Sequence, residues 1–148
     1  MMEEEIISPE EEIKRADHLI YVTLKYTRTC DVMKNAVKRM VSAFEMAIQE
    51  YLEGLRKARK TSDVPATAKE RAVAVKGIIG SPVRKYMVLY NMLKKIEKTD
   101  YTAVEEFRKN VTMKIKSAKP LDVKVKDLYE YLEKTREFVA FLKDRLKK

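Results

Sequence analysis

Helix breakers are scarce in this sequence of 148 residues, which contains three glycines and four prolines. Because so few positions can interrupt a helix, the composition favours an all-α or nearly all-α chain. Cysteine is scarcer still: Cys30 is the only one, so no disulfide can form within the chain and nothing indicates an oxidising compartment. We expect Cys30 to be a small, buried, structural side chain.

The common catalytic and cofactor-binding motifs are missing. The only histidine is His18, and the sequence has no HExxH or CxxC pattern that would hold zinc. It has neither the GxxxxGKS/T loop nor the GxGxxG loop of nucleotide-binding proteins. On an unbroken helix His18 and Cys30 would lie about three turns apart, out of hydrogen-bond reach. We therefore expect no catalytic residues, no metal and no cofactor, which favours a protein that is not an enzyme.

Long hydrophobic runs are absent as well. No stretch approaches the roughly 18 consecutive apolar residues of a membrane span, and the start MMEEEIISPEEE is acidic where a signal peptide is basic. We expect a cytoplasmic protein with no membrane partner. Lys and Glu are abundant whereas Gln and Asn are rare, a bias typical of proteins from hot environments, so we expect a thermophile.

Charge, in contrast, is plentiful and uneven. Charged residues make up 37% of the chain, and the formal net charge is +9. Every charge within the first twelve residues is acidic, so the remainder of the chain carries 32 basic residues against 17 acidic ones. An excess of this size attracts polyanions such as RNA through counterion release. The alternative is a lysine-rich surface that only keeps the protein solvated.

The stretch from Cys30 to Arg59 is the clearest structural element. It contains no proline, and its large apolar residues recur every three or four positions, which places them along one side of a helix. They are Met33, Val37, Met40, Phe44, Ile48, Tyr51 and Leu55. The pattern predicts one amphipathic helix, roughly 40 Å long, that needs other helices along its apolar side.

Capping patterns place the other helices. Ser8 and Pro9 begin a first helix, which either runs into the long helix or breaks near Thr27 to Thr29 so that the two pack as an antiparallel hairpin. Thr67 begins a short helix, and apolar periodicity predicts further helices over residues 83–98 and 128–146.

Two segments between these last helices follow other patterns. Thr102 and Glu105 have capping-box spacing, which predicts a short helix over residues 102–110. Residues 111–126 alternate apolar and polar side chains on either side of a central turn, as a β-hairpin does.

The fold class that follows is all-α, with this one small hairpin as a possible addition. The helices are expected to form an up-and-down bundle of four main helices plus short helices. We expect a single domain over residues 1–148, with an acidic N-terminal tail over residues 1–8.

Charged residues intrude on the apolar side of the first helix. Asp17, Arg28 and Asp31 lie close to the line of apolar residues, where a buried charge needs a partner. One interpretation is an internal salt bridge, such as one between Arg28 and Asp31, that fixes the hairpin. The other interpretation is a ligand or phosphate site formed by Tyr26, Arg28, Asp31 and Lys34.

Basic residues also cluster near tyrosines elsewhere in the sequence. Single-stranded nucleic-acid binders combine these two residue types, because cations contact phosphates and rings stack on bases. The candidate nucleic-acid-binding residues are Lys57, Arg59, Lys60, Arg84, Lys85, Arg108 and Lys109. The alternative is that the neighbouring tyrosines, which recur at helical spacing, are part of the hydrophobic core.

The segment ADHLIYVTLKYTRTCDVMKNAVKRMVSAF, in which a first helix passes through YTRT into a long second one, resembles small archaeal helical proteins of unassigned role. Over residues 9–110 the outline also resembles the HEPN superfamily of helical bundles, which includes RNases, nucleotidyltransferase partners and toxin components. HEPN RNases carry an arginine followed four to six residues later by a histidine, whereas Arg15 precedes His18 by three and in the wrong helix. The resemblance therefore implies a degenerate or binding-only member.

Three functional hypotheses follow. The first is a non-catalytic helical-bundle protein that acts through protein partners or as a homodimer. The second is an RNA-associated, HEPN-like protein that uses its basic surface. The third is a small-ligand or phosphate binder, or an enzyme, that uses Arg28 and Asp31. Basic residues gathered on one face would favour the second hypothesis, and a pocket at Arg28 would favour the third.

Overall fold

The computed structural model describes residues 8–61 and 63–148. Its helical elements are α1 (Pro9–His18), a π-helical turn (Leu19–Thr23), α2 (Leu24–Tyr26), α3 (Cys30–Lys57), α4 (Ala68–Ile79), a 3-10 turn (Ser81–Val83), α5 (Arg84–Lys98) and α6 (Val125–Lys147). Its strands are β1 (Tyr101–Val104), β2 (Thr112–Ile115) and β3 (Leu121–Lys124). The prediction of a mostly helical chain is confirmed. The predicted acidic tail, residues 1–8, lies outside the described residues except for Ser8. Within the described ranges no helix has both the length and the apolarity needed to cross a membrane.

Helix α3 is the element around which the other helices pack. The apolar side that the sequence predicts is buried along the whole helix, from Cys30 to Leu55. Helices α1, α4, α5 and α6 all contact it. Ala36, Ala43 and Ala47 are buried on this helix, and their small side chains allow neighbouring backbones to approach closely.

The chain reverses direction between α2 and α3. Helix α2 ends at Tyr26, and α3 begins after Thr29, whose hydroxyl oxygen accepts a hydrogen bond from the Val32 amide at 3.4 Å. Helix α1 then packs along α3, where the buried Glu12 pairs with Arg39 at 3.3 Å. The predicted break near Thr27 to Thr29 is therefore present, and α1 and α3 form an antiparallel hairpin.

Helix α6 returns along α1. Two ion pairs join these helices: Glu10 of α1 pairs with Lys143, and Asp17 pairs with Arg136. Because the residue numbers rise along one helix as they fall along the other, α1 and α6 are antiparallel. The start of α6 therefore lies at the same end of the molecule as the turn between α2 and α3.

A π-helical turn interrupts the first helix. The Leu24 amide donates to the Leu19 carbonyl five residues earlier, which is the π-helical spacing. Ile20 stays buried in this turn, whereas Tyr21 and Val22 are exposed. Such turns insert one extra residue into a helix and are frequent at functional sites.

The three strands form an antiparallel sheet in the order β1-β2-β3. The predicted hairpin over residues 111–126 is present as β2 and β3. The predicted helix over residues 102–110 is wrong, because Tyr101 to Val104 form β1 and pair with β2. An isolated helix of that length is marginal in water, whereas a strand with β-branched and aromatic residues gains a hydrogen-bonded neighbour.

Aromatic rings fill the centre of the core. Phe44 of α3 stacks on Phe138 of α6, with ring centroids 4.5 Å apart, and Tyr90 of α5 contacts Phe44 at 5.6 Å. The Tyr90 hydroxyl donates to the Glu45 carboxylate at 2.7 Å, which satisfies its only polar group. Burial and this hydrogen bond raise the pKa of Tyr90 above its ordinary range.

Substituting Phe44 tests the core directly. Phe44 is fully buried, so Phe44→Ala should lower the free energy of unfolding by about 3–5 kcal/mol through lost apolar burial and the remaining cavity. Phe107, which is 74% exposed, provides the matched control, and Phe107→Ala should change that free energy by less than about 0.5 kcal/mol. Denaturant unfolding followed by circular dichroism measures both. Equal losses would contradict this core.

Candidate functional site

A cavity of about 410 Å³ lies where the first helical segment, the β1–β2 loop and the start of α6 meet. We call it the Arg28 cavity. Its lining residues are Ile20, Tyr21, Leu24, Lys25, Arg28, Lys109, Val125, Lys126 and Tyr129. Ile20 and Leu24 are buried and belong to the hydrophobic core, so core side chains form the floor of the cavity.

Four cations line the Arg28 cavity. They come from three separate segments: Lys25 and Arg28 from the first hairpin, Lys109 from the β1–β2 loop, and Lys126 from the first turn of α6. None of the described residues that line it is an aspartate, a glutamate or a histidine. Within the described part of the chain, none of the four side chains forms a hydrogen bond, an ion pair or a contact with an aromatic face. All the charged side chains among the described lining residues are therefore positive.

Two tyrosines also line the cavity. Tyr21 of the π-helical turn and Tyr129 of α6 contact each other, with ring centroids 4.7 Å apart and planes tilted by 46°. Both side chains remain partly exposed, at 47% for Tyr21 and 37% for Tyr129. The π-helical turn thus places an aromatic ring beside the four cations.

The β1–β2 loop is attached to the hairpin next to this cavity. The Phe107 amide donates to the Arg28 carbonyl oxygen at 2.7 Å, and Lys109 follows two residues later. Glu105 and Phe107 have positive φ angles of 55° and 66°, which side chains other than glycine seldom adopt. Backbone strain of this kind is concentrated at functional sites.

The predicted ligand set of Tyr26, Arg28, Asp31 and Lys34 divides into two parts. Arg28 lines the cavity, and Tyr26 is 82% exposed near it without lining it. Asp31 and Lys34 instead contact Tyr101 of β1: the Tyr101 hydroxyl donates to Asp31, and the Lys34 ammonium lies 5.4 Å from the ring centroid.

The internal salt bridge predicted between Arg28 and Asp31 is also replaced by another ion pair. Arg28 forms no ion pair with Asp31 among the described residues, and Asp17 pairs with Arg136 of α6. A charge from the first helix is therefore balanced across the α1–α6 contact, which leaves Arg28 available to a ligand.

The predicted nucleic-acid-binding residues are spread over the molecule. Lys57, Arg59 and Lys60 lie at or just beyond the C-terminal end of α3, about 40 Å along that helix from the end that carries Arg28. Arg84 and Lys85 begin α5. Of the predicted set, the structure brings Lys109 to the Arg28 cavity, with the exposed Arg108 beside it in the chain.

Sequence reasoning did not identify several residues of this site. Tyr21 and Lys25 could have been predicted from the sequence, because the segment YVTLKYTR interleaves aromatic and basic residues as the candidate nucleic-acid-binding clusters do. Lys126 and Tyr129 had no such signal, since their proximity to Arg28 depends on the antiparallel return of α6.

Cys30 and His18 take no part in the site. Cys30 is fully buried, as predicted, and its thiol donates to the Thr112 carbonyl at 3.4 Å. Burial raises the pKa of the Cys30 thiol to about 11, which keeps it protonated at neutral pH. His18 is exposed. Across residues 8–61 and 63–148 no group of three or more His, Cys, Asp or Glu side chains is placed to hold a metal ion.

Comparisons with protein-family models, curated proteins and solved structures find no match to this chain. A function for the Arg28 cavity is therefore inferred from its own chemistry: four unpaired cations, two tyrosines and an apolar floor.

The contact between Asp31 and Tyr101 yields a pH prediction. The hydrogen bond to Asp31, with burial as a smaller cause, raises the pKa of Tyr101 from 10.0 to about 12. Because the pKa is raised by folding, the stability that this contact adds is present below pH 10 and is lost as pH rises through about 12. Asp31→Ala should lower this pKa towards 10, as measured by NMR titration of the Tyr101 ring.

Asp17→Ala is the matched control for this titration. It also removes a carboxylate from the first hairpin, but Asp17 pairs with Arg136. The pKa of Tyr101 should stay near 12 in this variant. If the pKa of Tyr101 falls equally in both variants, then the overall negative charge of this region raises it, and the hydrogen bond from Tyr101 to Asp31 does not.

Proposed function

We propose that this protein is a non-catalytic binding protein for phosphate-bearing anions, and that the Arg28 cavity is its binding site. The observation that supports this most strongly is the convergence of Lys25, Arg28, Lys109 and Lys126 on one cavity, with no carboxylate among the described residues that line it.

Electrostatics gives this arrangement a ligand preference. Four like charges on one cavity lining repel one another, and a bound anion replaces that repulsion with attraction. Arginine offers a planar fork of N–H donors that matches phosphate oxygens, and lysine ammonium groups add compact positive charge. A volume of about 410 Å³ lies within the ordinary range of small-molecule sites.

The lining residues favour binding over catalysis. Among the described lining residues there is no histidine, carboxylate, cysteine or serine, and none of the lysines or tyrosines forms a hydrogen bond that would activate it as a nucleophile or base. This agrees with the absence of catalytic motifs from the sequence. It also agrees with the binding-only role that a HEPN-like relationship implies, which we retain as part of the proposal.

The helices provide the support for this site. We propose that α1, α3, α5 and α6 form the predicted up-and-down bundle, and contacts of α3 with the other three support this arrangement. One end of that bundle then carries the cavity, because the turn after α2 and the start of α6 lie there.

A role through a protein partner or a homodimer stays a prediction. The described residues that favour it are the exposed aliphatic side chains Val73 and Ile78 of α4 and Val88 of α5. They carry no charge or geometry that selects a partner, so they support this role less than the four cations support anion binding.

Removing single cations tests the proposed function. Lys109→Ala and Arg28→Ala should each weaken binding of inorganic pyrophosphate about 10- to 100-fold, because each deletes a charge-assisted hydrogen bond. The Arg28 carbonyl bond to Phe107 involves only the backbone, so Arg28→Ala preserves the loop attachment. Isothermal titration calorimetry measures the affinities.

Lys57→Ala is the matched control, since it removes the same charge from the opposite end of α3. It should leave the pyrophosphate affinity within about twofold of the unmodified protein, because screening limits charge effects to roughly 10 Å. Equal weakening by Lys57→Ala and Lys109→Ala would mean that pyrophosphate binds through general surface charge, and the proposed site would be rejected.

A further inference from the structure

The exposed aromatic rings are all at one end of the molecule. The chain has eight tyrosines and four phenylalanines, all within the described residues, and the exposed ones are Tyr21, Tyr26, Phe107 and Tyr129. Tyr21 and Tyr129 line the Arg28 cavity, and Tyr26 and Phe107 flank it. Exposed rings gathered at one site indicate a binding surface, since elsewhere the rings are in the core or packed against it.

Phe107 is exposed on a strained loop. Its ring is 74% exposed, and its backbone has a φ of 66°. Its amide donates a hydrogen bond to the Arg28 carbonyl oxygen, so the Phe107 backbone lies next to a residue that lines the cavity. A large apolar side chain that stays in water adds no burial energy to the fold, so a ligand that covers the ring explains its presence on a strained loop.

Rings and cations alternate around this end. Tyr21, Lys25, Tyr26 and Arg28 follow one another in the first hairpin, Phe107 precedes Arg108 and Lys109, and Lys126 precedes Tyr129. Rings stack on nucleobases and cations contact phosphates, which together is the chemistry of single-stranded nucleic-acid recognition. A duplex would keep its bases stacked on each other and away from these rings.

The size of the surface indicates a chain of nucleotides. A single nucleotide in the Arg28 cavity would leave Tyr26 and Phe107 uncovered, because neither ring is part of the cavity lining. A strand of several nucleotides can place phosphates in the cavity and bases on the rings around it.

We propose that the ligand of this site is a single-stranded nucleic acid. Its phosphates are bound by the cations of the Arg28 cavity, and its bases stack on Tyr26 and Phe107. This inference rests on the proposed function, because the cavity must bind phosphate for the strand to be held there.

The test is fluorescence anisotropy with labelled oligouridylate and oligothymidylate of roughly twelve nucleotides, repeated across roughly 50 to 300 mM salt. Inorganic polyphosphate, which has phosphates and no bases, serves as a competitor. Phe107→Ala and Tyr26→Ala should each weaken oligonucleotide binding about tenfold, because each removes one stacking contact. Phe107→Trp should restore it, since the new ring also stacks.

Salt dependence separates the two contributions. Arg28→Ala should reduce the slope of log affinity against log salt by about 0.7, the value for one phosphate contact with a single strand. Phe107→Ala should lower the affinity with the slope unchanged, because stacking releases no counter-ions. Val88→Ala, at an aliphatic side chain on α5 that is 64% exposed, should alter neither quantity.

The outcomes distinguish the inference from the proposed function. Oligonucleotide binding that depends on Phe107 and on Arg28 supports both, and the tighter of the two oligonucleotides identifies the sugar. If polyphosphate competes through Arg28 while Phe107→Ala has no effect, the nucleic-acid inference is overturned and the phosphate site stands. If neither probe binds even at low salt, both are overturned.

Discussion

Burial of the apolar side of α3 is the constraint on which the rest of the structure depends. A helix of 28 residues with one continuous apolar side cannot remain alone in water, so α1, α4, α5 and α6 all pack against it. The cap at Thr29 fixes where this helix begins, and the reversal before it brings α1 alongside. The antiparallel return of α6, joined to α1 by two ion pairs, then places its first turn at the same end.

This arrangement explains why the charged and aromatic residues meet where they do. The hairpin turn, the β1–β2 loop and the start of α6 are the segments at that end, and they need not be filled by core side chains. They carry cations without partners among the described residues, together with exposed rings. A site built on connections that a packed helical core holds in place is a common solution for ligand binding. The core provides stability, and the connections provide the recognition chemistry.

Local patterns predicted most of the helices. Capping residues such as Ser8 and Thr67 act on neighbouring amides, so their effect can be predicted from a few residues of sequence. Strand β1 could not be read in this way, because its conformation depends on pairing with β2.

The site was predicted only in part for the same reason. Arg28 was identified from its place on the first helix, whereas Asp31 and Lys34 turned out to contact Tyr101. Lys109 and Lys126 line the same cavity as Arg28 although they are about 80 to 100 positions away in the sequence, and no local pattern indicates this.

NMR mapping of backbone amides during titration with inorganic pyrophosphate is the most direct test of anion binding at the Arg28 cavity. If the Arg28 cavity binds the anion, the largest shift changes are expected in residues 21–28, at Lys109 and in residues 125–129, with little change in residues 57–60. Changes centred on residues 57–60, or spread evenly over the lysines, would contradict it.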